Sequence, residues 1–445
     1  VTTASTHEPS THEPSTHEAS THEPSTHEPT TITTSTAHDD DAALPQLPFA
    51  REGVLRISPL YERLRAAGPV TRVRTPAGDV VWLVSRYEEA RTLFADKRLG
   101  RSHPKPEEAA RVSDAGVMAG PSGDHEHEEA DHTSMRRLLT PAFSAKRMRR
   151  LHDRVAELAE SLVDDLVAAH DSGTDPVDLH AGFSVPLPIF VICELLGVPV
   201  EDRVYFKGLS ERMATLTGDD PAVARAEFER YTAQLAEAKR AEPGEDVISD
   251  LVAAQAHDPR LTDTRLAELT VGLLFAGHET TVHRLSLGVV LLLVNPEVRD
   301  RLVADPEGSA DAVVEEVLRL AEPGGMGLLR YAHEDVTVGS GDGADEVTIA
   351  AGDGVVIVTS AANRDESAFD AAGAFDPDRS PNPHLSFGHG PHFCIGASLA
   401  RTELRVGLAT IFTRLPGLRL AVEPDALTLH TERLTGGLEE LPVTW

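Results

Sequence analysis

Phe387-Gly388-His389-Gly390-Pro391-His392-Phe393-Cys394-Ile395-Gly396 packs three glycines, two histidines and a cysteine into ten residues, and the helical pattern Ala397–Leu404 follows at once. Glycines 388, 390 and 396 allow a tight loop with positive φ angles, and backbone N–H groups left free in such a loop can hydrogen-bond a sulfur. Those bonds and the dipole of the following helix favour a thiolate. The chain's other cysteine, Cys193, lies in the apolar helical run Ile189-Phe-Val-Ile-Cys-Glu-Leu-Leu and reads as a small core residue. Two cysteines in 445 residues exclude a disulfide scaffold and fit a reducing, cytoplasmic compartment.

Working outward from the cysteine loop, apolar residues recur at three- and four-residue spacing in Ser85–Ala95, Leu151–Ala169, Ala222–Lys239 and Ala310–Leu320. The longest such pattern spans Asp263 to Leu293, which as a helix would reach roughly 45 Å. Within it, Ala276-Gly277-His278-Glu279-Thr280-Thr281 places an acid, a glycine and two hydroxyls where the flanking leucines call for core, so the helix should bend or open there. Val70–Val73 and Val80–Val84 flank Pro76-Ala77-Gly78-Asp79 and read as a hairpin. Strand-like runs return at Val336–Val338, Val347–Ile349 and Val355–Val358, so the expectation is a mainly α protein with small β-sheets.

Two charged patterns can be read locally. Glu316 and Arg319 lie at i, i+3, where an exposed pair would contribute only ~0.2–0.5 kcal/mol. His132 and Arg136 lie at i, i+4 and share a helix face from which both can donate to a carboxylate.

The spacing Phe-Gly-x-Gly-x-His-x-Cys-x-Gly resembles the haem-binding loop of the cytochrome P450 family, and three further segments match that family in order. Ala276–Thr281 resembles its oxygen-activation motif, with Glu279 and Thr280 as the acid–alcohol pair that relays protons. Glu316-Val-Leu-Arg319 is similar to its buried Glu-x-x-Arg pair, and Ala362-Asn363-Arg364-Asp365 through Phe369, Phe375, Asp376 and Arg379 resembles the segment that completes the network. The resemblance covers about Leu47 to Trp445. It implies a single triangular-prism domain over residues 44–445, haem b, Cys394 as iron ligand, and His132, Arg136, Arg330 and His392 on the haem propionates. The implied reaction inserts one atom of O2 into an apolar organic substrate, by hydroxylation or epoxidation. Thiolate ligation favours O–O cleavage. Electrons must then come from a separate ferredoxin and its reductase, because no dinucleotide-binding glycine fingerprint follows a strand. A haem-binding electron carrier or sensor is the competing class, and nitrogen ligation would mark it.

Composition narrows the partners. A formal net charge of −31 argues against nucleic acid, and the aliphatic run Val289–Val294 is far short of the roughly 20 residues that span a bilayer. The Ser-Thr-His-Glu-Pro repeat near the N-terminus has nothing apolar to offset chain entropy, so residues 1–43 are expected to form a disordered tail. His278 and His283 are five apart and turned about 140° from each other, which excludes a zinc-binding His-Glu-x-x-His helix. His125-Glu-His127-Glu-Glu-Ala-Asp-His132 reads as a solvated charge run. The segments expected to meet substrate, with Met118, Leu216, Leu328 and Leu438, are mainly aliphatic and favour a bulky apolar compound such as a polyketide or macrolide. Terpenoids, steroids and carrier-bound peptides remain alternatives. Seven cations between Arg136 and Arg154 suggest a surface that steers an acidic ferredoxin.

Overall fold

The structure, a computed structural model, describes residues 44–113, 119–213, 220–322, 325–339, 345–430, 433 and 436–445. The tail 1–43, and with it Met118, Leu216 and Thr435, lies outside the described residues.

The chain opens with α1 (Leu60–Ala67), then the hairpin β1 (Thr71–Arg74) and β2 (Val80–Val84), whose antiparallel register pairs Thr71 with Leu83. Helix α2 (Tyr87–Ala95) and the short β3 (Leu99–Gly100) follow. A helical series comes next: α3 (Glu128–Leu139), α4 (Ala145–Asp171), then β4 (Val177–Asp178), α5 (Pro186–Leu196), α6 (Arg203–Met213), α7 (Asp220–Ala241), α8 (Val247–Gln255), α9 (Asp263–Val294), α10 (Pro296–Ala304) and α11 (Pro306–Leu320). The second half adds β5 (Leu328–Ala332), β6 (Val336–Val338), β7 (Val347–Ile349), β8 (Gly354–Ile357), α12 (Thr359–Ala362), α13 (Ala397–Arg414), β9 (Arg419–Leu420) and β10 (Pro442–Thr444).

Helices dominate, and among the described residues three small sheets are set between them in the orders β1-β2-β8-β5-β3, β4-β10-β9 and β6-β7. The first sheet is mixed, since β2 and β8 run parallel while its other pairs are antiparallel. Because β8 is buried on both faces, its Gly-Val-Val-Ile sequence is apolar throughout instead of alternating.

Helix α9 is the spine. Thr262 caps it by accepting the Arg265 N–H, and its 32 residues extend roughly 48 Å. Helices α5, α7, α10, α11 and α13 pack around it, and Leu266, Leu274, Leu285, Leu287, Val289, Val290 and Leu292 have no exposure. The helix does not open there: it is continuous, and Thr280 and Thr281 bond back to the carbonyls of Ala276 and Gly277 as hydroxyls at such positions are expected to. Among the described residues no single helix is long and apolar enough to cross a membrane.

The two charged residues that could have formed a surface pair are buried, Glu316 with 0% and Arg319 with 1% exposure. Arg319 donates from Nε and Nη2 to the two carboxylate oxygens of Glu316 at 2.8 and 2.6 Å, and from its Nη atoms to the carbonyls of Asn363, Ala372 and Ala374. Glu316 also accepts from the Asp376 N–H, Asn382 Nδ2 and Arg379 Nε. Arg319 lies over the Phe369 ring. The network clamps α11 to the segment that leads into the cysteine loop, so it is structural.

Candidate active site

The cysteine loop is built by two close approaches. Gly388 and Gly390 both have φ of +70°, and a Cβ on Gly390 would lie 2.7 Å from Ala95 Cα, so only glycine lets the loop meet the end of α2. Gly396 departs from the expectation: with φ of −86° it is the N-cap of α13 and needs no left-handed freedom. The Cys394 N–H donates to Phe387 O at 2.9 Å, which closes the loop and leaves the side chain at the mouth of α13.

Protein crowds the Cys394 thiol on most sides, yet the residue remains accessible, as it would at the wall of an internal space. Burial pushes the thiol up, against the Gly396 N–H and the more distant Arg284, Arg136 and Arg401, which pull it down. Desolvation therefore outweighs the thiolate stabilisation expected from the glycine loop. Cys193 is inert by contrast: it has 0% exposure, and burial drives its thiol up to about 12.

Arg284 ties two halves of the site together. It lies one turn beyond Thr280 on α9, donates to the Thr280 carbonyl, and its charge reaches Cys394. On the same face Gly272, Ala276 and Thr280, spaced by four, are exposed although the helix around them is buried. An open stripe of small side chains thus runs along α9 on the side that carries Arg284.

Cations gather beside the loop. The rings of His132 on α3 and His392 meet at a tilt of 39° with centroids 4.1 Å apart, and Arg136 on α3 donates to Phe393 O at 2.9 Å. Arg330 on β5 has 7% exposure; burial, then the nearby Arg101, lower it to about 9. Burial, then Arg330 and His132, lower His392 to about 4, and burial with Arg136 lowers His132. Arg101 is lowered by burial as well. Nothing local in the sequence marks this arginine as a member of the set. Its recruitment depends on β3 pairing with β5, which sets Gly100 opposite Tyr331 and so brings Arg101 beside Arg330. Arg330, buried, stands beside Arg101 and Arg136, with the neutral rings of His132 and His392 as further donors and, among the described residues, Glu128 as the carboxylate acting on them, so the group forms a receptor for an anion.

Several expectations are corrected. Glu128 is not a member of a solvated run: it accepts the N–H groups of Arg101 and Ser102, and the neighbouring His125 ring packs on His333 at 4.4 Å. Leu438 has 0% exposure and belongs to the core, so of the aliphatic substrate-facing candidates within the described residues only Leu328 presents surface, at 37%. Glu279 and Thr280 engage different partners. The Glu279 carboxylate lies 3.5 Å from His283 Nε2 on the buried side, whereas the Thr280 hydroxyl donates to Ala276 O beside the open stripe. Within the cation stretch, Arg147 pairs with Asp250 at 2.8 Å and Arg150 with Glu245, so much of its charge is already answered.

Comparison with known proteins decides the family. The chain is 42% identical over 414 residues to pentalenolactone synthase of Streptomyces exfoliatus, covering 90% of this chain and 99% of that one. The chain belongs to the cytochrome P450 family. The family model, Cytochrome P450, matches residues 206–305 and 309–417. Mycinamicin IV hydroxylase/epoxidase of Micromonospora griseorubida is 39% identical over 402 residues, covering 89% of this chain and 98% of that one. The solved structure of the substrate-free cytochrome P450 PimD, a polyene macrolide antibiotic pimaricin epoxidase, is 41% identical, with a TM-score of 0.78 over 92% of this chain and 100% of that one. The mixed helical architecture is therefore the triangular prism of the cytochromes P450, and the protein is a monooxygenase whose family membership implies haem b. The residues fit such a group: its carboxylates would answer buried Arg330 and the neighbouring Arg101 and Arg136, an accessible thiol stands at the loop, and a stripe of small side chains leaves room.

Proposed function

We propose that this cytochrome P450 hydroxylates or epoxidises a bulky apolar secondary metabolite of the polyketide or macrolide kind, with electrons delivered by a separate ferredoxin. The open stripe of Gly272, Ala276 and Thr280 carries the reading, because three small side chains on a helix otherwise buried give space and offer one hydroxyl. Exposed Leu328 adds apolar surface, and the likeness to a polyene macrolide antibiotic epoxidase and to a mycinamicin IV hydroxylase/epoxidase supports the reading.

In this reading Cys394 holds the haem iron, Arg101, Arg136 and Arg330 neutralise the propionates, and His132 and His392 offer them ring N–H donors. When bound, the haem supplies the redox centre at which dioxygen is reduced. The chain contributes the rest. Thr280 offers a hydroxyl at the open stripe, and Glu279, adjacent in sequence, is the proton store behind it. Arg136 touches the cysteine loop at Phe393, and Phe143 stands where a side chain on Gly396 would meet it, so the cation stretch borders the loop. Phe393 itself is 42% exposed there and completes a docking surface for an acidic ferredoxin.

The test is a titration of the purified holoenzyme with macrolides, terpenoids, steroids and carrier-bound peptides, followed by turnover with ferredoxin. Macrolide-type compounds should shift the Soret band and yield an oxygenated product, and Thr280→Ala should divert electrons into hydrogen peroxide. A carrier or sensor would accept electrons with no product from any compound, and that outcome would overturn the reading.

A further inference from the structure

A cation that the catalytic reading leaves unused braces the cysteine loop. Arg401 lies on the second turn of α13, seven residues beyond Cys394. Side chains on a helix lean back toward its N-terminus, so this one reaches toward the loop that precedes the helix. Its guanidinium lies over the Phe387 ring, with Cζ 4.5 Å from the centroid. Phe387 in turn closes the loop, because its carbonyl accepts the Cys394 N–H at 2.9 Å. The positive charge therefore rests on a ring whose own backbone holds the cysteine. Burial raises the Cys394 thiol and the Gly396 N–H lowers it, and Arg401 joins Arg284 and Arg136 in lowering it further.

Glu315 on α11 fixes where that charge stands. Arg401 Nε donates to Glu315 Oε1 at 2.5 Å and Nη2 to Oε2 at 2.9 Å, a two-point grip that sets the plane of the guanidinium. Glu315 Oε2 also accepts from His384 Nε2 at 3.1 Å, while His384 Nδ1 accepts the Ser386 N–H at 3.3 Å, so one proton on Nε2 satisfies both bonds. One turn farther from the loop, Arg405 pairs with Asp311 at 2.8 Å. The two helices thus carry two rungs of the same kind, and the rung nearer the loop is the one seated on Phe387. Arg401 and Glu315 keep side-chain exposures of 37% and 32%, so water screens part of their charge and the effect to be expected is modest.

We propose that Arg401 is a positioning residue for electron uptake: gripped by Glu315 and seated on Phe387, it presents a fixed positive charge behind the cysteine loop and raises the reduction potential of the bound haem. One electron leaves the reduced ferredoxin and enters the haem iron, and no proton need move with it. That electron adds negative charge at the iron and its thiolate, which a nearby cation favours. The inference rests on Cys394 as the iron ligand, and it adds the residue that sets how readily the ferredoxin's electron is accepted.

Potentiometric titration of the purified holoenzyme reads the effect directly, and the carbon-monoxide difference spectrum of the same samples shows whether thiolate ligation is kept. Arg401→Met should lower the equilibrium constant for one-electron reduction by about three- to tenfold, ~30–60 mV at 59 mV per tenfold. Glu315→Gln removes the counter-charge and leaves the cation, so it should raise the potential. A clamp that merely holds the loop's shape would move both variants the same way, because each breaks the same pair. Arg401→Lys keeps the charge and should recover most of the shift. Arg405→Met breaks the rung one turn away and should leave the constant within about 1.5-fold of the parent's. Should Arg401→Met lose its haem, the rise in Glu315→Gln decides. Shifts of one sign in Arg401→Met and Glu315→Gln, no recovery in Arg401→Lys, or an effect of Arg405→Met as large as that of Arg401→Met overturns the proposal. Unmoved potentials with the long-wavelength thiolate band intact sink this inference alone; a parent without that band overturns the ligand reading and this inference with it.

Discussion

Glu316→Gln is the substitution that most sharply tests the account of how the site is held. Five donors converge on this carboxylate, from Arg319 Nε and Nη2, the Asp376 N–H, Asn382 Nδ2 and Arg379 Nε. A glutamine of the same shape sets two N–H donors against that ring of donors and removes the charge facing a guanidinium with 1% exposure. Breaking a buried pair from one side costs about 3–5 kcal/mol, a large part of the ~5–15 kcal/mol that folded domains possess. At about 2.1 cal/mol/K of unfolding entropy per residue, roughly 400 residues give about 0.8 kcal/mol/K, so the melting temperature should fall by about 4–6 °C. Circular dichroism melts of the holoenzyme, checked by urea unfolding, would measure it. An exposed pair worth ~0.2–0.5 kcal/mol would shift the melt by less than about 1 °C, and a shift that small refutes the burial argument. Replacing both residues by methionine should not restore stability, because the carbonyls of Asn363, Ala372 and Ala374 would lose their Arg319 donors. Full recovery in that double variant would show that the carbonyl contacts contribute nothing.

Further outcomes follow from the same geometry. Arg330→Ala should speed haem transfer to an apoprotein acceptor by about 10–100-fold, the equivalent of one charge-assisted hydrogen bond, and Arg101→Ala should do the same; rates within twofold of the parent would remove either residue from the clamp. Burial pushes the Glu315 carboxyl up, but Arg401 and His384 outweigh it and hold it down to about 2. Its depressed value means that the link is fully stabilising above the unfolded value of about 4.3 and is lost as pH falls from there through about 2; in Glu315→Gln that part of the acid dependence of urea unfolding should vanish. Lys146 and Arg149 are exposed and, among the described residues, no carboxylate lies within ion-pair distance of either, so reversing both to Glu should slow ferredoxin reduction at low salt while leaving substrate spectral shifts intact. Arg147→Glu, whose charge Asp250 already answers, should have the smaller effect.

Local chemistry was legible without coordinates. The cysteine loop, the hairpin and the helices depend on turn geometry and on periods of two and 3.6 residues, which neighbours along the chain determine, and the observed ends of β1, β2 and α9 lie within a residue of their expected positions. What the side chains face was decided by partners far away in sequence. Glu316 and Arg319 could have formed a solvated pair; contacts with residues 44 to 66 positions away bury them and make them structural. Arg101 joined the cation receptor because β3 paired with a strand more than 200 residues later. Glu279 turned to His283 because a glycine in the C-terminal turn left space for the ring. The cation stretch lost charge to acids that precede and begin the helix after α7. Burial and charge complementarity are sums over whatever the fold brings within a few ångströms, so they belong to the tertiary structure even when each residue type is plain in the sequence.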